Sequence, residues 1–416
     1  MMRSQAALVT VLVGVSMAGE PVHKGPSLDL VMPGAQPSRN DDYLCSAFDV
    51  KALSQEADNS TVLHVTGFAP NADANKAHHM LLYTCNNPVE MPGKAYDCLH
   101  HSICRDGQSI MFAWAKNAPA TTLPPGVSFT LDPSVKRFLV LQIHYAHQVT
   151  EPDYTSLSLS YQPGATRYQA GILLMLRSYL DIPPNTAAVH GDVNCKVPSP
   201  VPLHLFAYRT HAHALSPVIT GYVYNEEGHQ YREIARGSPQ WPQAFYPMKK
   251  VQTVYPGKDV LAARCTYNST GKDTATNIGA TAGDEMCNLY IMFFSEPGKV
   301  SDFLGCTNEQ EGEGITRGLP EDSDKAPDKR PELEAHAHDL HSAGGPQEIN
   351  YAKLFEEEQE ASTSKKKGGL ESTTFRVATF NMTMPGIITE HDFEFEFTLL
   401  SYSFIQSTIR LTSASV

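Results

Sequence analysis

The chain has 416 residues, 41% hydrophobic and 19% charged, which is enough apolar material for two or three globular domains. A formal charge of −13 excludes a non-specific nucleic-acid binder. Beyond a short N-terminal stretch, no apolar run reaches the roughly 18 residues of a membrane span. With 29 prolines and 28 glycines, and short runs rich in Val, Ile, Tyr, Phe and Thr, the chain reads as all-β.

Residues 1–18 read as a signal peptide. Arg3 supplies a positive start, 6–15 are apolar, and Ser16 and Ala18 are the small residues before a cleavage point. A secreted chain, or one held in the lumen of the secretory pathway or its vesicles, is expected. Eight cysteines follow, Cys45, Cys85, Cys98, Cys104, Cys195, Cys265, Cys287 and Cys306, without the paired CxxC spacing of a zinc site, and read as four disulfides. Sequons at Asn59, Asn268 and Asn381 fit a secreted glycoprotein. Strands are expected at 61–68, 79–85, 138–145, 203–213, 218–224 and 287–294. Four cysteines lie in each half, so each half can close its own pairs. The expected domains are 28–170 and 171–306. Residues 307–372, rich in Glu, Lys, Gly and Pro, read as a disordered charged linker that includes His336, His338 and His341. Residues 373–416 form a short tail, with strand-like alternation at 393–397.

Spacing singles out a few of the 17 histidines. On a strand, alternate residues share a face, so Arg209, His211 and His213 point the same way. Two imidazoles one residue apart stand roughly 7 Å apart at the backbone, and both can reach one ion. Met286, Asn288 and Tyr290 share a face of a second strand. A thioether is a soft ligand that selects copper. Two imidazoles and a thioether therefore describe a centre that holds Cu(I) and leaves a position for dioxygen. His78 and His79 are adjacent, so both reach one ion only if the chain bends there or their rings use different nitrogens. His144 and Gln142 share a strand face in the same half. Three imidazoles suit copper passing electrons.

At these residues the chain resembles the copper type II, ascorbate-dependent monooxygenases. Within them it is most similar to the branch that hydroxylates peptides ending in glycine. The matching pieces are His78-His79-Met80-Leu81-Leu82, Leu141-Gln142-Ile143-His144-Tyr145, the run from Phe206 to His213, Pro242-Gln243-Ala244-Phe245-Tyr246-Pro247, Leu261-Ala262-Ala263-Arg264-Cys265, and the run from Asp284 to Met292. The resemblance implies two antiparallel, jelly-roll-like β-sandwich domains facing across a solvent-filled cleft. It implies two copper ions, an electron-transfer copper on His78, His79 and His144 and an oxygen-activating copper on His211, His213 and Met286. Ascorbate is the reductant and O2 the co-substrate. Arg209, Asn288 and Tyr290 would bind the terminal carboxylate of a glycine-extended peptide, and Gln142 is a further candidate beside the first copper. The implied disulfides are Cys45–Cys98, Cys85–Cys104, Cys195–Cys306 and Cys265–Cys287. A fifth pair that ties down the N-terminus in other members has neither cysteine here, so a looser 20–40 segment is expected. The chain is expected to act as a monomer and to hand its product to a separate lyase. Two rival readings are a sister-branch hydroxylase of phenethylamines and a secreted copper carrier without turnover.

Overall fold

The computed structural model describes residues 26–330, apart from 59–60, 74, 100–101, 116–117, 280 and 282. The signal-peptide reading, the sequons at Asn59 and Asn381, the three linker histidines and the tail all fall outside these residues. The architecture is all-β, as expected. All six anticipated strands are present, at Leu63–Asn71, Ala77–Cys85, Phe138–Tyr145, Leu203–His211, Val218–Asn225 and Asn288–Ser295.

The first sandwich pairs two sheets. One runs Ala95–Asp97, Asp42–Asp49, Phe138–Tyr145, Ala77–Cys85, Ser109–Ala115. Phe138–Tyr145 is its central strand and is buried along its whole length, which explains why it reads as a nearly unbroken apolar run. The facing sheet begins Ser27–Val31, Ser156–Gln162, Leu63–Asn71, Val127–Leu131. That sheet does not stop at the half-way point. Val127 and Ser128 pair in parallel with Tyr168 and Gln169, and the ladder continues through Tyr168–Leu176, Asn288–Ser295, Leu203–His211 and Tyr246–Val254. A ten-stranded sheet thus spans both halves, and residue 170 lies inside one of its strands. The second sandwich is closed by Val189–Lys196, Asp259–Tyr267, Val218–Asn225 and Gln230–Gly237. Four disulfides, Cys45–Cys98, Cys85–Cys104, Cys195–Cys306 and Cys265–Cys287, pin the sheets within each half.

Three features differ from the sequence reading. The segment from residue 26 is held without the missing disulfide, because Ser27–Val31 pairs with Ser156–Ser160 and buries Leu28, Leu30 and Met32. A helix, Val50–Asp58, interrupts the β pattern. Its start is capped by the Asp49 carboxylate, which accepts the Ala52 N–H.

The third difference lies at the end of the second sandwich. Residues 307–330 fall within the expected disordered linker, yet they are ordered. Asn194, fully buried, accepts the Glu311 N–H and donates to the Gly312 carbonyl. The helix Glu313–Arg317 then lays Thr316 over Arg264, and Leu319 completes a cluster with Tyr222 and Ala262. Polar composition concealed a segment that buries few but well-placed side chains. Among the described residues no helix is long and apolar enough to cross a membrane.

Candidate metal centres

The first centre is built across two paired strands. His144 on Phe138–Tyr145 lies directly opposite His79 on Ala77–Cys85. The next pair in the ladder is Tyr145 with Ala77, so His78 is the extra residue of a β-bulge. A bulge breaks the two-residue alternation locally. That is the bend adjacent histidines need to share an ion. One ring nitrogen from each of His78, His79 and His144 lies within 4.8 Å of the others.

His144 is the best-defined candidate ligand. Its Nδ1 sits 3.2 Å from Nδ1 of His79, and its Nε2–H donates to the Asp41 carboxylate at 3.1 Å. Tyr43 stacks on the ring at 4.3 Å with an 11° interplanar angle. With Nε2 committed to Asp41, Nδ1 keeps its lone pair for a metal. Burial lowers the His144 pKa to about 4, with the nearby His78 adding to the effect. Burial also holds His79 well below its ordinary value, reinforced by His144, His211 and His78. Neutral imidazoles are the form that binds metal. Gln142 shares the His144 face but is engaged elsewhere: its amide faces the Cys98 sulfur and its oxygen accepts from the Tyr83 hydroxyl.

The second centre lies where Leu203–His211 ends beside the start of Asn288–Ser295. His211 is registered opposite Asn288 and Arg209 opposite Tyr290, so these four side chains share one face. Met286 lies just before its strand rather than on it, yet its sulfur comes within 3.2 Å of Nε2 of His211. His213 lies beyond its strand's end, with its ring 5.7 Å from that of His211. Both rings are fixed through Nδ1–H. His211 donates to Oε1 of Gln243 at 2.6 Å, and His213 donates to the Asp284 carbonyl at 2.8 Å. Each Nε2 thereby keeps its lone pair, the form in which an imidazole can take a metal.

Two supporting residues went unassigned in the sequence. Gln243, buried, accepts from His211 and from the Arg209 guanidinium through one oxygen. Its backbone N–H bonds the Ala115 carbonyl in the first sandwich, and Ala115 is the strand partner of His79. Glu285 is 1% exposed and accepts backbone N–H groups from His213, Leu215 and Met286. It ties together the two segments that carry the ligands. Their only sequence signal was membership of the two motifs Pro242–Pro247 and Asp284–Met292.

Arg209 is 2% exposed and lies 5.1 Å from the centre of the Tyr290 ring. Desolvation lowers its pKa to about 10, so it remains a cation at neutral pH. Burial raises the Tyr290 pKa, while the neighbouring Arg209 cation and Asn288 amide oppose that rise. A buried guanidinium next to an amide and a phenol offers the groups that carboxylate recognition uses. The expected solvent-filled cleft is closed at this point: the His79 and His211 rings meet edge to face, 6.3 Å between centroids.

The donor sets fit copper in both places. Three imidazoles make one centre, and two imidazoles with a thioether make the other, without the carboxylate or thiolate that zinc commonly recruits. Fold and sites together define a β-sandwich protein with paired soft-metal centres. Comparison with known proteins gives the family. Residues 28–152 match the N-terminal domain and 168–316 the C-terminal domain of the copper type II ascorbate-dependent monooxygenases, and the chain belongs to that family. It is 38% identical over 300 residues to peptidyl-glycine alpha-amidating monooxygenase A of Xenopus laevis, covering 71% of this chain and 31% of the relative. The Mus musculus peptidyl-glycine alpha-amidating monooxygenase is 37% identical over 318 residues, covering 75% and 31%. The human DBH-like monooxygenase protein 1 is 25% identical over 305 residues, covering 65% and 47%. The chain therefore spans about a third of the length of the amidating relatives.

Proposed function

We propose that the chain hydroxylates the α-carbon of the C-terminal glycine of peptides, the first step of peptide C-terminal amidation. The observation that carries this reading is the buried Arg209 guanidinium, two residues along the strand from His211 and on its face. A phenethylamine has no carboxylate to neutralise it, and a copper carrier has no need of it. In this reading Arg209 grips the terminal carboxylate while Asn288 and Tyr290 complete the receptor. The glycine α-carbon is thereby held next to Met286 and His211, with reacting atoms pre-oriented.

His78, His79 and His144 would hold the electron-transfer copper, and His211, His213 and Met286 the oxygen-activating one. Bound copper would supply one-electron redox chemistry, through which two electrons from ascorbate would reach dioxygen. One oxygen atom joins the α-carbon as hydroxyl and the other leaves as water. The peptidyl-α-hydroxyglycine passes to a separate lyase that releases the amide. The four disulfides support an oxidising, secretory setting.

The test is to incubate the protein, copper and ascorbate with a glycine-extended peptide and, separately, with tyramine. The peptide should gain one hydroxyl per O2 consumed. Conversion of tyramine alone would overturn the substrate assignment in favour of the sister branch, and copper binding without oxygen uptake would favour a carrier.

A further inference from the structure

The ligand rings of the two centres are held by different kinds of partner. His211 and His213 donate to a neutral amide and a backbone carbonyl. His144 donates to a carboxylate, that of Asp41. Asp41 is placed there at a conformational cost. Its φ is 52°, the left-handed region that most L-residues avoid and that Asp and Asn tolerate best. The turn is pinned to the chain just past His144: the Asp41 N–H bonds the Ala146 carbonyl, and the Asn40 side chain accepts the Gln148 N–H.

We infer that Asp41 is a positioning residue that makes the three-histidine centre the stronger electron donor of the two. It fixes the proton of His144 on Nε2, aims the Nδ1 lone pair at His78 and His79, and adds negative charge to the ligand. Negative charge behind a ligand stabilises the more highly charged ion, so Cu(II) gains more than Cu(I) and the potential falls. At the other centre the Met286 thioether favours Cu(I). The two devices act in opposite directions, so together these residues would favour electron flow from the first centre to the second once both hold copper. This deepens the copper assignment and does not depend on which substrate is oxidised.

The Asp41 side chain is 52% exposed while that of His144 is 8% exposed, and solvent screens a half-exposed charge. The expected effect therefore sits at the low end of the ~10–100-fold range for outer partners of metal ligands. Asp41→Asn and Asp41→Gly both accept the backbone angle, so neither should unfold the turn. Asn keeps an acceptor without the charge, and Gly removes both.

The experiment is a potentiometric titration of the copper-loaded protein with competitive chelator titrations of Cu(II) and Cu(I), alongside 15N NMR of the histidine rings in the metal-free protein. Met286→Ile assigns the two potentiometric steps, since it touches only the second centre. In Asp41→Asn, Cu(II) affinity at the first centre should fall about 10-fold with Cu(I) affinity unchanged. That raises its potential by about 59 mV, the one-electron equivalent of a tenfold change, and the His144 Nε2–H tautomer should persist. In Asp41→Gly the same shift should appear together with mixed tautomers. An unmoved first step in both variants, or equal loss of both oxidation states, overturns the inference while leaving the copper assignment intact. Absence of copper from the first centre of the unaltered protein would remove both.

Discussion

At the scale of single residues, the second centre depends on a carboxylate that never meets the metal. Glu285 accepts three backbone N–H groups, two from the segment carrying His213 and one from Met286. A buried carboxylate with several such donors holds loops that have no regular ladder of their own. Glu285→Gln keeps the shape but turns one oxygen into a donor facing a donor. Stability should fall by about 1–3 kcal/mol, the cost of an unsatisfied buried group. Copper affinity at the second centre should drop ~10–100-fold with the first centre unaffected. Chelator titration and thermal unfolding of the same variant measure both. Equal loss at both centres would mean that Glu285 supports the fold alone.

At the scale of elements, the strands were legible because their apolar runs are long relative to the turns between them. The His211–Arg209 face was legible because, past the irregularity between Leu205 and Ala207, period-two alternation holds to the end of that strand. Three things were not legible. The bulge at His78 depends on a register shift between two strands that lie far apart in sequence. Met286 reaches His211 from outside its strand, so alternation predicted its neighbours better than its own position. The strap at 307–330 was hidden by its composition, because its anchors are a few side chains set against partners far back in the chain. Leu319 covers Tyr222 and Ala262, Ser323 accepts the Thr220 hydroxyl through its carbonyl, and Arg264 joins Asp192 to the Thr316 carbonyl. Leu319→Ala should cost about 2–3 kcal/mol, near the lower end for a buried leucine because the site lies at the rim. Urea denaturation of the whole chain would show a lower midpoint with an unchanged slope. No change in midpoint would restore the linker reading for this stretch.

At the scale of the whole molecule, the two centres are neighbours because the two sandwiches share a sheet. The parallel pairing of Val127–Ser128 with Tyr168–Gln169 joins the halves along one edge. The Gln243–Ala115 hydrogen bond joins them again close to His211 and His79. The same closeness leaves Arg209 2% exposed. On the proposed reading a peptide carboxylate therefore has no route to its guanidinium in this arrangement, and binding would require that the two faces part first. Opening is a first-order event that does not depend on peptide concentration. In stopped-flow experiments with the copper-loaded protein, the observed binding rate for a glycine-extended peptide should rise with concentration and then level off at the opening rate. Gln243→Ala should raise that plateau, because it loosens the side chain that holds Arg209 and His211 beside the first sandwich. A rate that climbs linearly, toward the ~10⁵–10⁷ M⁻¹s⁻¹ range of preformed sites, would show instead that the receptor is open to solvent most of the time.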